Sequence, residues 1–165
     1  MHNYLNPPPE IGVFTKQLFS MSLVAFLYVY NRTMTIDELH TLWEKKNGGK
    51  AAHTEHDLQV ECLRWLRLGY PDVLCYAIPN GAYTTKTTAR KLVAEGVCHG
   101  IPDLCIPIGR NGYHALYIEM KNGKAGRLSE HQKEVIPRLQ AFGNKVVVCR
   151  TFEDFRREIK EYLTH

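Results

Sequence analysis

Asp103, Glu119 and Lys121 are the residues whose types and spacing suggest chemistry. They read P-D-(x15)-E-x-K, from Pro102-Asp103 to Glu119-Met120-Lys121. A carboxylate, a second carboxylate and a lysine two places further along a strand can hold a divalent cation beside a phosphodiester. Hydrolysis of that bond needs an activated water, in-line attack and neutralisation of developing charge. A cation held by Asp103, Glu119 and the backbone carbonyl of Met120 would lower the water's pKa and polarise the phosphate. Magnesium and manganese suit such oxygen donors. Lys121, a compact point charge, would orient the water or stabilise the transition state. The plainer alternative is a salt-bridged pair of strands in which Lys121 only neutralises its neighbours.

The elements around these residues must bring them together. Asp103 to Ile108 and Tyr113 to Met120 read as two strands of a hairpin. A three-residue loop, Arg110-Asn111-Gly112, pairs Gly109 with Tyr113 and sets Asp103 opposite Glu119. A two-residue loop at 110–111 would put the two acids on opposite faces. In the odd-loop register the acidic Cβ atoms lie ~5 Å apart. Like charges so placed destabilise a sheet unless a cation joins them. Lys121 shares the face of Glu119 because side-chain direction has a period of two. Leu104, Ile106, Ile108, Leu116 and Ile118 form the other, apolar face, which pins the register.

Before the hairpin, Thr54 caps a helix from Glu55 to Leu68, broken by Gly69-Tyr70-Pro71-Asp72. Val73 to Ile78 reads as a strand, Asn80-Gly81 as a turn, and Thr84 to Glu95 as a basic helix closed by Gly96. After it come a helix from Ser129 to Phe142 containing Pro137, a strand from Lys145 to Cys149, and a helix from Phe152 to Leu163. The order α-β-α-β-β-α-β-α implies an α/β fold, a small mixed sheet with helices on both faces.

Residues 51–165 carry this pattern, and residues 1–50 form an N-terminal extension of unassigned role. The extension opens with Pro7-Pro8-Pro9. Its apolar run from Leu18 to Tyr30 has 13 residues, short of the ~20 that a membrane-spanning helix needs. No basic lead or small-residue cleavage site marks it as a signal peptide. Thr35 caps a short helix, Ile36 to Lys46, ended by Asn47-Gly48-Gly49. Met21 and Met34 are alternative starts.

At 165 residues, 44% hydrophobic and 23% charged, the chain has the make-up of a globular domain with an appendage rather than of a disordered chain. A net charge of +4 permits a polyanionic partner without demanding one. The five cysteines are odd in number and lack a CxxC pair. They read as small buried hydrophobes in a reducing, cytoplasmic compartment. A zinc site from Cys98 and His99 has the wrong ligand spacing.

The run Gly100-Ile-Pro-Asp-Leu-Cys-Ile, then Leu116-Tyr-Ile-Glu-Met-Lys, Leu128-Ser-Glu-His-Gln and Leu139-Gln-Ala-Phe-Gly-Asn-Lys-Val-Val-Val closely resembles the VRR-NUC family. That family of virus-type replication-repair nucleases belongs to the PD-(D/E)XK superfamily, with a restriction-endonuclease-like fold. The likeness covers about Glu55 to Leu163. Length suggests a stand-alone member, as in bacteria and phages, rather than a module of a large eukaryotic repair enzyme.

The resemblance also implies site roles. Asp103, Glu119 and Lys121 match the catalytic core, and Gln132 matches a glutamine on the following helix. A glutamate on the first helix completes the set. Glu55 fits the family's E-x-x-x-Q pattern with Gln59 and shares its helical face, whereas Glu61 faces away. Ser129-Glu-His-Gln132 is equally a capping box, a structural role that can coexist with the first. His131 reads as a surface histidine. Lys86, Arg90, Lys91, Lys124 and Arg127 are candidate phosphate contacts, blind to base sequence.

The implied activity is that of a Mg2+- or Mn2+-dependent DNA endonuclease acting on branched DNA, such as Holliday junctions, as a homodimer. A nuclease of flaps, nicks or single strands is the nearer alternative. A nucleic-acid-binding module without turnover is the more distant one.

Overall fold

A computed structural model of the chain describes residues 35–46, 54–79, 85–123 and 126–164. It comprises two compact units, Met1–Lys50 and Ala51–His165. The apolar run 18–30, the triple proline, the Asn47-Gly48-Gly49 stop and the Asn80-Gly81 turn lie outside the described residues.

In the first unit the described element is α1, Ile36–Lys46. The capping reading holds there: the Thr35 N–H donates to Glu38 Oε2 at 2.6 Å while the Glu38 N–H donates to Thr35 Oγ1 at 3.2 Å. Two otherwise orphaned donors at the helix start are thereby satisfied.

The second unit contains α2 (Glu55–Gly69), β1 (Tyr76–Ala77), α3 (Lys86–Ala94), β2 (Leu104–Ile106), β3 (Leu116–Met120), α4 (Glu130–Ala141), β4 (Lys145–Cys149) and α5 (Phe152–Thr164). The expected order is therefore present, with strands shorter than their apolar runs. The sheet order is β1-β2-β3-β4. The first two pairs are antiparallel and β3–β4 is parallel. Helix α4 makes the crossover that a parallel pair requires. Helix α3 starts two residues later than the run from Thr84 suggests. Thr85 supplies the cap, its hydroxyl accepting from the Thr88 N–H.

Helical spacing builds the core. Leu58, Cys62, Trp65 and Leu66 recur at i, i+4, i+7 and i+8 along α2, and all four are buried. Phe155, Ile159 and Tyr162 do the same on α5. The two helices meet at Trp65, whose ring lies edge-on to Phe152 and Phe155 with centroids 6.0 and 6.3 Å away. Leu104, Ile106, Leu116, Ile118 and Met120 are all buried. Each such side chain contributes ~1.5–3 kcal/mol on leaving water. This apolar face fixes which way Glu119 must point.

The hairpin corrects one expectation. The loop is a two-residue turn, Asn111-Gly112, with both residues at positive φ (53° and 80°). Arg110 and Tyr113 exchange both backbone bonds across it, at 3.1 and 2.8 Å. Asn-Gly is the pair that tolerates this mirror-image turn, whose twist matches that of the flanking strands. By itself the turn would place Asp103 opposite Met120. Yet Leu104 pairs with Ile118 and Ile106 with Leu116, the register expected from the longer loop. Pro107, Ile108 and Gly109 span on one strand what His114 and Ala115 span on the other. This extra residue restores the register, in the manner of a bulge. It also takes Ile108 out of the strand, where its carbonyl accepts the Tyr162 hydroxyl at 2.6 Å.

Candidate functional site

Continued by one step, the β2–β3 register brings Asp103 opposite Glu119, at the open end of the hairpin. The Met120 N–H donates to Asp103 Oδ2 at 2.8 Å, so the aspartate is tied to the strand that bears its partner. Glu119 has a fully buried residue surface, an unusual state for a carboxylate. Its Oε1 accepts from the Lys121 ammonium at 2.6 Å and from the Gln132 side-chain amide at 2.6 Å. Its Oε2 is buried with no hydrogen-bond partner.

Burial sets the electrostatics. It pushes the Glu119 carboxyl up to about 6, with the nearby Asp103 adding to the rise and the bonds from Lys121 and Gln132 opposing it. Burial raises Asp103 too, against the Met120 N–H bond and the Lys121 charge. For Lys121, burial works against the ammonium, but the Glu119 bond and the surrounding acids outweigh it and hold the group above its usual range. The charges at this end of the hairpin are coupled, and negative charge is in local excess.

Glu55 enters from the first turn of α2. Its Oε1 lies 3.9 Å from the Lys121 ammonium and accepts the Asn122 N–H at 3.2 Å. Thr54, whose hydroxyl accepts from the Asp57 N–H, starts that helix at the right place. The fold thus gathers Glu55, Asp103, Glu119, Lys121 and Gln132. Gln132 holds both anticipated positions. Its Oε1 accepts the Ser129 N–H at 2.9 Å as half of a capping box, while its Nε2 serves Glu119.

The candidate phosphate contacts are less gathered. Arg90 and Lys91 are exposed on α3, and Arg127 is exposed in the segment after β3. Lys124 and the side chain of Lys86 lie outside the described residues. The His131 ring lies 5.8 Å from that of His99. The cysteines are free, with Cys62, Cys105 and Cys149 buried.

Reading the sequence missed three supports. Arg150 donates from Nη1 to the Gly123 and Gly126 carbonyls at 3.0 and 2.5 Å, clasping the loop that follows Lys121. A Cβ at Gly126 would come within 3.0 Å of the Lys121 Cβ, so the backbone there packs against the lysine stem. A Cβ at Gly100 would meet the His131 carbonyl at 2.5 Å. The glycines were visible in the sequence, but nothing local says what they approach.

Among the described residues, no three His, Cys, Asp or Glu side chains form a ready cage for a metal. Glu55 is turned to Lys121 and Asn122 instead. Two opposed carboxylates with one unpartnered buried oxygen still fit a magnesium-like ion, which commonly uses one or two carboxylates and keeps several waters. They do not fit a closed zinc site. No helix among the described residues is long and apolar enough to cross a membrane.

Comparison with known proteins shows the family of the chain. The VRR-NUC domain model matches residues 53–153. A solved structure described as a VRR_NUC domain protein is 30% identical, with a TM-score of 0.58 over 67% of this chain and 88% of the other. No curated protein matches the chain.

Proposed function

Because the chain belongs to the VRR-NUC family, a nuclease-type domain, we propose that it is a Mg2+- or Mn2+-dependent DNA endonuclease that selects branched DNA and works as a homodimer. The buried, unpartnered Oε2 of Glu119 opposite Asp103 carries this reading. A protein that only bound nucleic acid would gain nothing from two crowded carboxylates close to phosphate. Asp103, Glu119 and the Met120 carbonyl would hold the ion, which when bound supplies an activated water and polarises the phosphate.

The protein's own groups do the rest. The Lys121 ammonium is held against Glu119 at 2.6 Å, where it can offset charge that grows on the phosphate as the bond breaks. Glu55 keeps that ammonium from swinging away, and Gln132 fixes the Glu119 carboxylate. Arg90, Lys91 and Arg127, with Lys86 and Lys124, would add contacts to backbone phosphates. Such contacts read no bases, so the shape of the DNA is the natural basis of selection.

The test is cleavage of labelled four-way junctions, flaps, nicked duplex, single strands and linear duplex of matched sequence, with Mg2+, Mn2+ or EDTA. The expected result is ion-dependent cutting of junctions ahead of linear duplex, whatever the arm sequences, by a protein that is dimeric in light scattering. A dimer with two sites is the simplest device for nicking two strands at related positions. A monomer that prefers flaps or single strands would remove the junction assignment and leave the nuclease. Binding without cleavage under every ion would remove the nuclease.

A further inference from the structure

The start of α4 decides which oxygen of Glu119 is left for a ligand. A glutamine carboxamide can present either its oxygen or its nitrogen to a neighbour, and in a flexible side chain both occur. Here the choice is forced. The Ser129 backbone N–H can only donate, and it lies 2.9 Å from Gln132 Oε1. Nε2 must then face the other way, and it meets Glu119 Oε1 at 2.6 Å. The reverse orientation would set an amide oxygen against a carboxylate. The Gln132 N–H closes the box by donating to the Ser129 hydroxyl at 3.2 Å. With Lys121 on the same Oε1, that oxygen is doubly occupied, while Oε2 remains buried and unpartnered.

The seat of this helix start is also tight. Gly100, at φ +89°, approaches so closely that a Cβ there would lie 2.5 Å from the His131 carbonyl carbon and 2.8 Å from the Gln132 nitrogen. Gly100 is three residues before Asp103. The loop that delivers one acid therefore rests on the helix start that orients the other.

We propose that Ser129 is a positioning residue for Glu119: its hydroxyl, by accepting the Gln132 N–H, holds the helix start so that its own backbone N–H meets the Gln132 amide oxygen, which aims Nε2 at Glu119 Oε1 and reserves Oε2 for the divalent cation. This rests on the nuclease reading above. Partners that orient a metal ligand from outside commonly matter about 10–100-fold in affinity or rate.

The experiment measures Mn2+ binding by calorimetry, kcat and KM on DNA, and thermal unfolding. It compares the unaltered chain with Ser129→Ala, Ser129→Thr and Thr85→Ala. Thr85 caps α3 through the same hydroxyl-to-N–H bond, and its bonds run to Thr88, which makes no bond to the acids, so its variant controls for the loss of a cap. The expected result for Ser129→Ala is Mn2+ affinity and kcat each lowered about tenfold, with KM unchanged. Ser129→Thr should restore both, and Thr85→Ala should leave Mn2+ affinity as it was. Unaltered Mn2+ affinity in Ser129→Ala, with only a lower unfolding temperature, would overturn the inference and leave Ser129 a plain helix cap. An equal loss in Thr85→Ala, or no recovery in Ser129→Thr, would also overturn it. Failure of the unaltered chain to bind Mn2+ would overturn the proposed function and this inference together.

Discussion

At the turn end of the β2–β3 hairpin, Arg110 and Tyr113 exchange both backbone bonds, and the Asn111 amide donates to the Glu161 and Tyr162 carbonyls at 3.3 and 3.4 Å. At the open end, Asp103 and Glu119 face each other, both raised by burial, and Glu119 Oε2 has no partner. One hairpin thus ends in satisfied polar groups that serve stability and in unsatisfied ones that cost it. A buried polar group without a partner costs about 1–3 kcal/mol. In the proposed reading, this oxygen at the open end is where the cation would sit. The apolar face shared by both ends carries the stability that lets the open end remain strained in charge.

The largest break in this contrast should come from the acids. Asp103→Asn and Glu119→Gln are each expected to lower cleavage roughly a thousandfold or more, about 4 kcal/mol of barrier. Both should also abolish Mn2+ binding in calorimetry while circular dichroism stays native. Full activity in either variant would show that the open end is a structural ion pair.

Lys121→Ala should come next, lowering kcat about a hundredfold with little change in DNA affinity. A loss confined to affinity would make Lys121 a phosphate contact only. In the same assay Glu55→Gln should be impaired and Glu61→Gln close to the unaltered protein. The reverse ranking would contradict the placement of Glu55 beside Lys121.

The pH dependence of stability sharpens the comparison. The folded Glu119 carboxyl sits at about 6, above its ordinary 4.5. The folded state therefore holds this proton more tightly than the unfolded chain does. The resulting stability is present in full below 4.5 and is lost as pH rises through about 6. Its size is on the order of 2 kcal/mol, and Asp103 acts in the same direction. Denaturant unfolding in EDTA should show this fall for the unaltered chain, a smaller one for Glu119→Gln, and recovery with Mn2+ at neutral pH. Parallel curves for the two proteins would remove the charge strain from the open end.

The smallest effect should appear at the turn. Asn111→Gly keeps the positive φ but deletes the bonds to α5, and should cost about 1 kcal/mol of stability with cleavage unchanged. A fall in kcat would mean that the two ends are coupled.

Much of this protein was decided by residues close together in the chain. Thr35, Thr54 and Ser129 start their helices because a hydroxyl reaches an N–H three residues on, whatever else the molecule does. The face shared by Glu119 and Lys121 follows from the period of a strand. Burial of Leu104, Ile106, Leu116 and Ile118 then pins the register that sets Asp103 across from Glu119. Tertiary structure decided what depends on distance along the chain. The extra residue at 107–109 frees the Ile108 carbonyl for the Tyr162 hydroxyl, and Asn111 reaches the Glu161 and Tyr162 carbonyls, so the hairpin is tied to α5 about 50 residues away. Glu55 reaches Asn122 across 67 positions, and Gln132 reaches Glu119 across 13. Capping alone explains why Gln132 follows Ser129. Only the packing of α4 over Glu119 turns that cap toward the acids, because a hydrogen bond between separate elements exists only once the core has fixed their positions.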